Sequence, residues 1–128
     1  MKYTISASIV LGVMLAAGSA WAHHNFGASF DTDKRFMLTG MLTKADWRNP
    51  HTEFSLEVKG DQGQAESWLL QGAPPNYFAS RKISKADFVK AIGQTVTVEA
   101  SRARDGSRYG VLWKITLPDG RVVVVRQS

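Results

Sequence analysis

From Arg35 onward the apolar and polar residues alternate with the period of two that marks β-strands. Phe36, Leu38 and Leu42 share one parity with Gly40 between them, as in a barrel strand with a close-packed or bent point. Arg48-Asn49-Pro50 breaks this run, because proline lacks an N–H donor and restricts the residue before it. Phe54, Leu56 and Val58 then face one way and Glu53, Ser55, Glu57 and Lys59 the other, which predicts a half-buried strand. Gly60-Asp61-Gln62-Gly63 is a turn, so a hairpin leads into Glu66-Ser67-Trp68-Leu69-Leu70.

Pro74-Pro75 closes this meander, and Pro75 can open a helical turn through Asn76-Tyr77-Phe78. Ser84 is the expected N-cap of a helix from Lys85 to Ile92, with Phe88, Val89 and Ile92 at helical spacing and Gly93 as the stop. Alternation then returns: Val96, Val98 and Ala100 against Thr95, Thr97 and Glu99, and later Tyr109, Val111, Trp113, Ile115 and Leu117. Arg104-Asp105-Gly106-Ser107 and Pro118-Asp119-Gly120 are turns, and Val122 to Val125 make a last short run. The expected fold is therefore mainly β. It is a small OB-like barrel of five to six strands with a short helical segment between strands 3 and 4. A split sandwich fits the same order of elements.

The N-terminus changes the picture. Lys2 precedes an apolar run from Ile5 to Ala17, and small residues end in Ala20-Trp21-Ala22. A positive start, a short apolar core and an A-x-A site describe a secretory signal peptide. The run is shorter than the ~20 apolar residues of a spanning helix. Cleavage after Ala22 removes 22 of the 128 residues, leaves 106, and takes the formal charge from +5 to +4. The expected organisation is a leader at 1–22, an extended or loosely ordered arm at 23–34 and an OB-like barrel at 35–128. Phe26 and Phe30 are placed to pin the arm to the body. The expected compartment is the periplasm. With no cysteine, disulfides, thiolate metal sites and cysteine nucleophiles are excluded.

The chain has three histidines, His23, His24 and His51, and two of them stand directly behind the cleavage site. Processing would give His23 a free α-amine beside its imidazole, two nitrogen donors able to chelate one metal through Nδ1. One further imidazole completes a T-shaped set of three nitrogens, a histidine brace. Tetragonal nitrogen coordination favours Cu(II), which also leads the divalent affinity order. His51, just after Asn49-Pro50 at the strand break, is the natural third ligand; His24 could replace it or add a donor. Asp31, Asp33 and Asp46 are possible outer-shell acceptors. Met37 and Met41 share a strand face and could offer soft sulfur to Cu(I), although filling the core is the commoner role of methionine. A terminal histidine pair can also be a solvated chain end, and a loop histidine a surface hydrogen-bonding residue. A cut after Ala20 would instead place His23 third from the amine. That is also a Cu(II) site, but one without a role for His51.

Several segments together resemble the exported proteins grouped as domain of unknown function family 6152. They are Ala22-His23-His24, Phe26, Phe30-Asp31, Leu38-Thr39-Gly40, Trp47-Arg48-Asn49-Pro50-His51 and Trp68. Pro74-Pro75-Asn76, Gly93 to Val98, Asp105-Gly106-Ser107 and Asp119-Gly120 continue the match along nearly the whole mature chain. Ala73-Pro74 stands where the family pattern has Ser-Pro. The resemblance implies a small exported β-barrel and no established activity.

No Ser/His/Asp arrangement, phosphate-binding glycine loop or His-x-x-x-His helix is present. Lys82, Lys85, Arg102, Arg104 and Arg108 suggest a basic region. Export argues against nucleic acid as its partner, and weak contact with an anionic envelope surface suits it better. Three readings follow. The first is a periplasmic Cu(II)-binding carrier, chaperone or scavenger that works with another periplasmic copper protein or a membrane protein. The second is a metal-free OB-like envelope binding module. The third is a copper-dependent oxidase, disfavoured because 106 residues leave little room for a pocket of ~300 Å³ beside a core. Nor does any tyrosine lie near the histidines in sequence to suggest oxygen chemistry.

Overall fold

The computed structural model describes residues 27–126. The expected leader, His23, His24 and Phe26 lie outside the described residues. The strands are β1 (Phe36–Asp46), β2 (Glu53–Lys59) and β3 (Ala65–Gln71), followed by β4 (Thr95–Arg102), β5 (Tyr109–Thr116) and β6 (Val122–Val124). Two short helices, α1 (Pro75–Ala79) and α2 (Lys85–Val89), stand between β3 and β4.

Antiparallel pairing runs in the order β3-β2-β1-β4-β5-β6. β3 also pairs in parallel with β5, through Leu69 with Tyr109, Leu70 with Gly110 and Gln71 with Val111. This closes β1 to β5 into a five-stranded barrel, with β6 added along β5. The fold is the OB-like barrel the pattern predicts, with its helical segment in the expected place.

The inward parity of the strands fills the barrel. Phe54, Leu56, Leu70, Val96, Val98, Leu112 and Ile115 are all but inaccessible to solvent. The helices close one opening with aromatic rings. Phe88 packs 4.9 Å from Phe54 and 5.6 Å from Phe78, and Trp47 lies 4.9 Å from Phe78 and 5.5 Å from Phe88. Gly40 is the close-packed point of β1. A Cβ there would meet the Glu57 carbonyl oxygen at 2.5 Å and Val58 Cγ2 at 2.9 Å. Neither backbone can yield without disturbing the ladder, so Gly40→Ala is expected to cost about 1–3 kcal/mol. A lower urea midpoint at unchanged slope would register it.

Four expectations need correction. The Tyr109 to Leu117 alternation does not stay on one face, because the register slips between Glu99 and Ala100 and leaves Trp113 unopposed. Val111 and Trp113 therefore join Phe30 in an outer cluster, while Leu112, Ile115 and Leu117 belong to the barrel core. Met37 and Met41 fill no core, being 62% and 39% exposed on the outward parity of β1. α2 ends at Val89 instead of Ile92; Lys90 to Gly93 continue as turns, and Gly93 takes φ +84°. The described part of the arm is also not loose. Phe30 is buried, and it forms a β-bridge with Ala103.

Candidate functional site

Contacts of three residues, Trp47, Arg48 and Thr52, fix the loop between β1 and β2. Trp47 anchors its start in the aromatic cap. Arg48 donates to Glu53 Oε2 at 2.7 Å and lies 3.6 Å from Asp46 Oδ2, so one guanidinium joins two carboxylates that face each other across the strands. Asn49-Pro50 is a cis peptide. Thr52 is fully buried, and both its N–H and its Oγ1 donate to the Ala73 carbonyl, at 3.1 and 2.7 Å. The Thr52 carbonyl in turn accepts the Gly72 N–H at 2.7 Å. Gly72 has to be glycine here, since a Cβ would run into Thr52 Oγ1 and Phe54.

His51 stands between Pro50 and the pinned Thr52 and is half-buried. Its Nδ1 is enclosed by protein and has no hydrogen-bond partner. Most buried polar atoms in proteins are satisfied, so a ring nitrogen in this state calls for an explanation.

The face beside this loop is carried by outward residues of β2 and β3, namely Glu53, Ser55, Leu69 and Gln71, with Tyr109 of β5. Glu53 opposes Gln71, and Gln71 in turn opposes Val111. Burial pushes the Tyr109 hydroxyl above its ordinary range, and the nearby Glu53 carboxylate pushes it further. In OB barrels the β2–β3 face and the loops joining β1 to β2 and β4 to β5 form the binding surface.

At the β4–β5 hairpin the arm docks. Phe30 packs 5.4 Å from Tyr109 and sits with Ala103, Val111 and Trp113. Asp31 N donates to the Arg102 carbonyl, Arg104 N to the Ser29 carbonyl and Arg104 Nε to the Gly27 carbonyl, at 3.0, 2.9 and 2.9 Å. Farther along, Arg35 lies 4.3 Å over Trp113 and donates to Glu99 at 2.9 Å. A groove of about 300 Å³ runs beside the arm between Ser29, Arg104 and Tyr109.

Of the three histidines, then, the structure describes only His51; whether it meets His23 or His24 falls outside the described residues. Among the described residues no three His, Asp or Glu side chains gather into a metal-binding group. Asp31 pairs with Lys34 at 3.3 Å, and Asp46 pairs with Lys44 and Arg48, so the carboxylates of both already have cations. The basic residues divide between two elements. Arg102, Arg104 and Arg108 lie on or beside the β4–β5 hairpin, where Arg102 covers Trp68 and Arg108 pairs with Glu66. Lys82 lies between α1 and α2, and Lys85 is the first residue of α2. Trp68 and Trp113 are buried and Trp47 is packed against the core, so none lines an open groove.

The chain does have a larger surface cleft than its length suggested. It measures about 430 Å³ and lies between α2 and the β5–β6 turn, lined by Asp87, Lys90, Gln94, Leu117 and Arg121. Asp87 is held down to about 2, first by the Ser84 N–H it accepts and then by Arg121. Sequence reasoning missed Tyr109, Glu53 and Arg104 as neighbours of one face. No local pattern marks them, because only the β3–β5 closure and the docked arm bring them there.

Among the described residues no helix is long and apolar enough to cross a membrane. Fold and loop together define a small OB-like β-barrel that presents one histidine at the corner of its β2–β3 face. The chain belongs to a family of unknown function (DUF6152), whose model matches residues 11–113. No curated protein and no solved structure matches it.

Proposed function

We propose that the exported protein, cut after Ala22, is a periplasmic Cu(II)-binding carrier or scavenger. Its ligands are the α-amine and imidazole of His23, with His51 or His24 supplying the next nitrogen. The observation that carries the reading is His51 Nδ1, a buried ring nitrogen with no partner on a loop held by Trp47, Arg48 and Thr52. An unsatisfied nitrogen of this kind costs about 1–3 kcal/mol, and a ligand drawing on the imidazole removes the cost. The arm supports the reading as well: it is docked at the hairpin that flanks the same face, only four residues from His23. A carrier hands its ion on, and a second periplasmic copper protein or a membrane protein is the expected recipient.

The test is calorimetry with Cu(II) on processed protein whose first residue has been fixed by intact mass. One ion per chain is expected, with affinity falling as the pH is lowered because protons compete with the metal for its donors. His51→Ala is expected to weaken binding far more than Met37→Ala, whose side chain stands out in solvent. Equal affinities in the two variants would exclude His51 from the site. A second reading, a metal-free envelope binding module, is favoured by the cleft over α2, whose lining shares no residue with the His51 loop. It predicts no copper heat at all.

A further inference from the structure

We infer that the helical segment between β3 and β4 docks on an anionic lipid bilayer surface. Val89 and Ile92 are its apolar anchors, and Lys82, Lys85 and Lys90 are the cations beside them. Docking of this kind does not depend on the copper reading. Phe88 and Ala91 are buried, which fixes the side of α2 that faces the barrel. Lys85, Val89 and Ile92 follow at steps of four and three residues, the spacing that keeps side chains on one flank. The turns after α2 preserve it, since Ala91 N donates to the Phe88 carbonyl and Ile92 N to the Val89 carbonyl, at 3.0 and 3.2 Å. Val89 is 46% and Ile92 40% exposed. A single exposed apolar residue is ordinary; two on one flank among lysines are the make-up of an interfacial helix.

The charge of this segment is one-sided. Residues 75–94 carry Arg81, Lys82, Lys85 and Lys90 against a single carboxylate, Asp87, which is engaged by the Ser84 N–H and by Arg121. Lys82, Lys85 and Lys90 are exposed and have no carboxylate partner among the described residues. Arg102 and Arg108 of the β4–β5 hairpin are, by contrast, engaged with Trp68 and Glu66. Lys82 stands at φ +58°, in the left-handed position that closes α1, with its N–H on the Ala79 carbonyl and the Ile83 N–H on the Phe78 carbonyl. Glycine is the usual residue there, so the fold keeps a cation where the backbone favours no side chain. Such a flank suits a bilayer better than a protein. A second copy would bring like charges together, and two apolar side chains fall far short of the ~800 Å² per partner of a stable protein interface. Anionic headgroups need no matching shape: they attract the lysines and take the apolar side chains into the headgroup boundary. No helix among the described residues is long and apolar enough to span, so the contact is peripheral.

The experiment is co-sedimentation with phosphatidylcholine vesicles, with and without about a quarter phosphatidylglycerol. It uses the processed chain, since the apolar run from Ile5 to Ala17 would itself enter vesicles. Binding is expected with the anionic vesicles alone and should be lost at high salt. Lys82→Ala and Lys85→Ala are each expected to weaken it about fivefold, and the double variant Val89→Ser/Ile92→Ser at least as much. Lys59→Ala on β2 removes the same charge and should stay within about twofold of the parent. All five side chains are exposed, so the melts of these variants should match the parent's. Because the chain has no cysteine, Ile92→Cys supplies a single thiol for an environment-sensitive fluorophore, and Val122→Cys on β6 supplies the control. The label at 92 is expected to shift to the blue on anionic vesicles and the label at 122 to stay as in water. Absence of binding to the anionic vesicles would overturn the patch. So would equal losses from Lys59→Ala and Lys85→Ala, or a shift at 122 as large as that at 92.

Discussion

One extra residue ahead of His23 is expected to lower Cu(II) affinity by upwards of about 100-fold, because even outer-shell partners of a metal are worth 10–100-fold. The extension touches no side chain of the barrel. It converts the terminal amine into a peptide nitrogen, whose lone pair is delocalised into the carbonyl and does not ligate unless deprotonated. It also moves the new amine one residue away from the imidazole, which destroys the chelate ring. Stability should be untouched, since the arm is held from Gly27 onward. A titration of extended and native chains side by side, with thermal melts of both, checks the result. Equal affinities would remove the amine from the site.

Phe88→Ala is the second large expected effect, this time on stability. The ring is fully buried and is the hub of the aromatic cap, touching Phe54 of β2, Phe78 of α1 and Trp47 at the start of the His51 loop. Truncation removes the transfer free energy of the ring and leaves a cavity walled by other rings, which together cost about 3–5 kcal/mol. That is a large share of the ~5–15 kcal/mol that holds a small domain together. At a urea slope of about 1–3 kcal/mol/M the midpoint should fall by more than ~1 M. Val122→Thr is the control, since Val122 is 57% exposed on β6 and its change should stay within about 0.5 kcal/mol. A Phe88→Ala midpoint as close to the parent's as the control's would mean that the cap does not hold the helices to the barrel.

The barrel was legible because period-two alternation and turn residues are local signals. Phe54-Leu56-Val58, Gly60 to Gly63 and Pro118-Asp119-Gly120 each announce their role within a few residues. Gly40 was read correctly as a close-packed point, from its interruption of an inward parity. What escaped depends on partners distant in sequence. The bulge at Trp113 moves Val111 and Trp113 to the outer cluster, and nothing in the run itself records that β4 is one residue short there. Met37 and Met41 follow β1's outward parity into solvent, where the hydrophobicity of methionine had suggested the interior. The corner of His51 was visible in Asn49-Pro50-His51, whereas its unpartnered Nδ1 depends on tertiary enclosure. The arm's docking slot is assembled from residues more than 70 positions away, as the Arg104 to Gly27 bond shows, so no window along the chain contains it.

That slot bears on the order of assembly. A polypeptide emerges from its N-terminus onward. The β-bridge and the ring packing that seat Phe30 come from the segment between Ala103 and Trp113. The stretch made early thus gains these contacts only once the β4–β5 hairpin has been made.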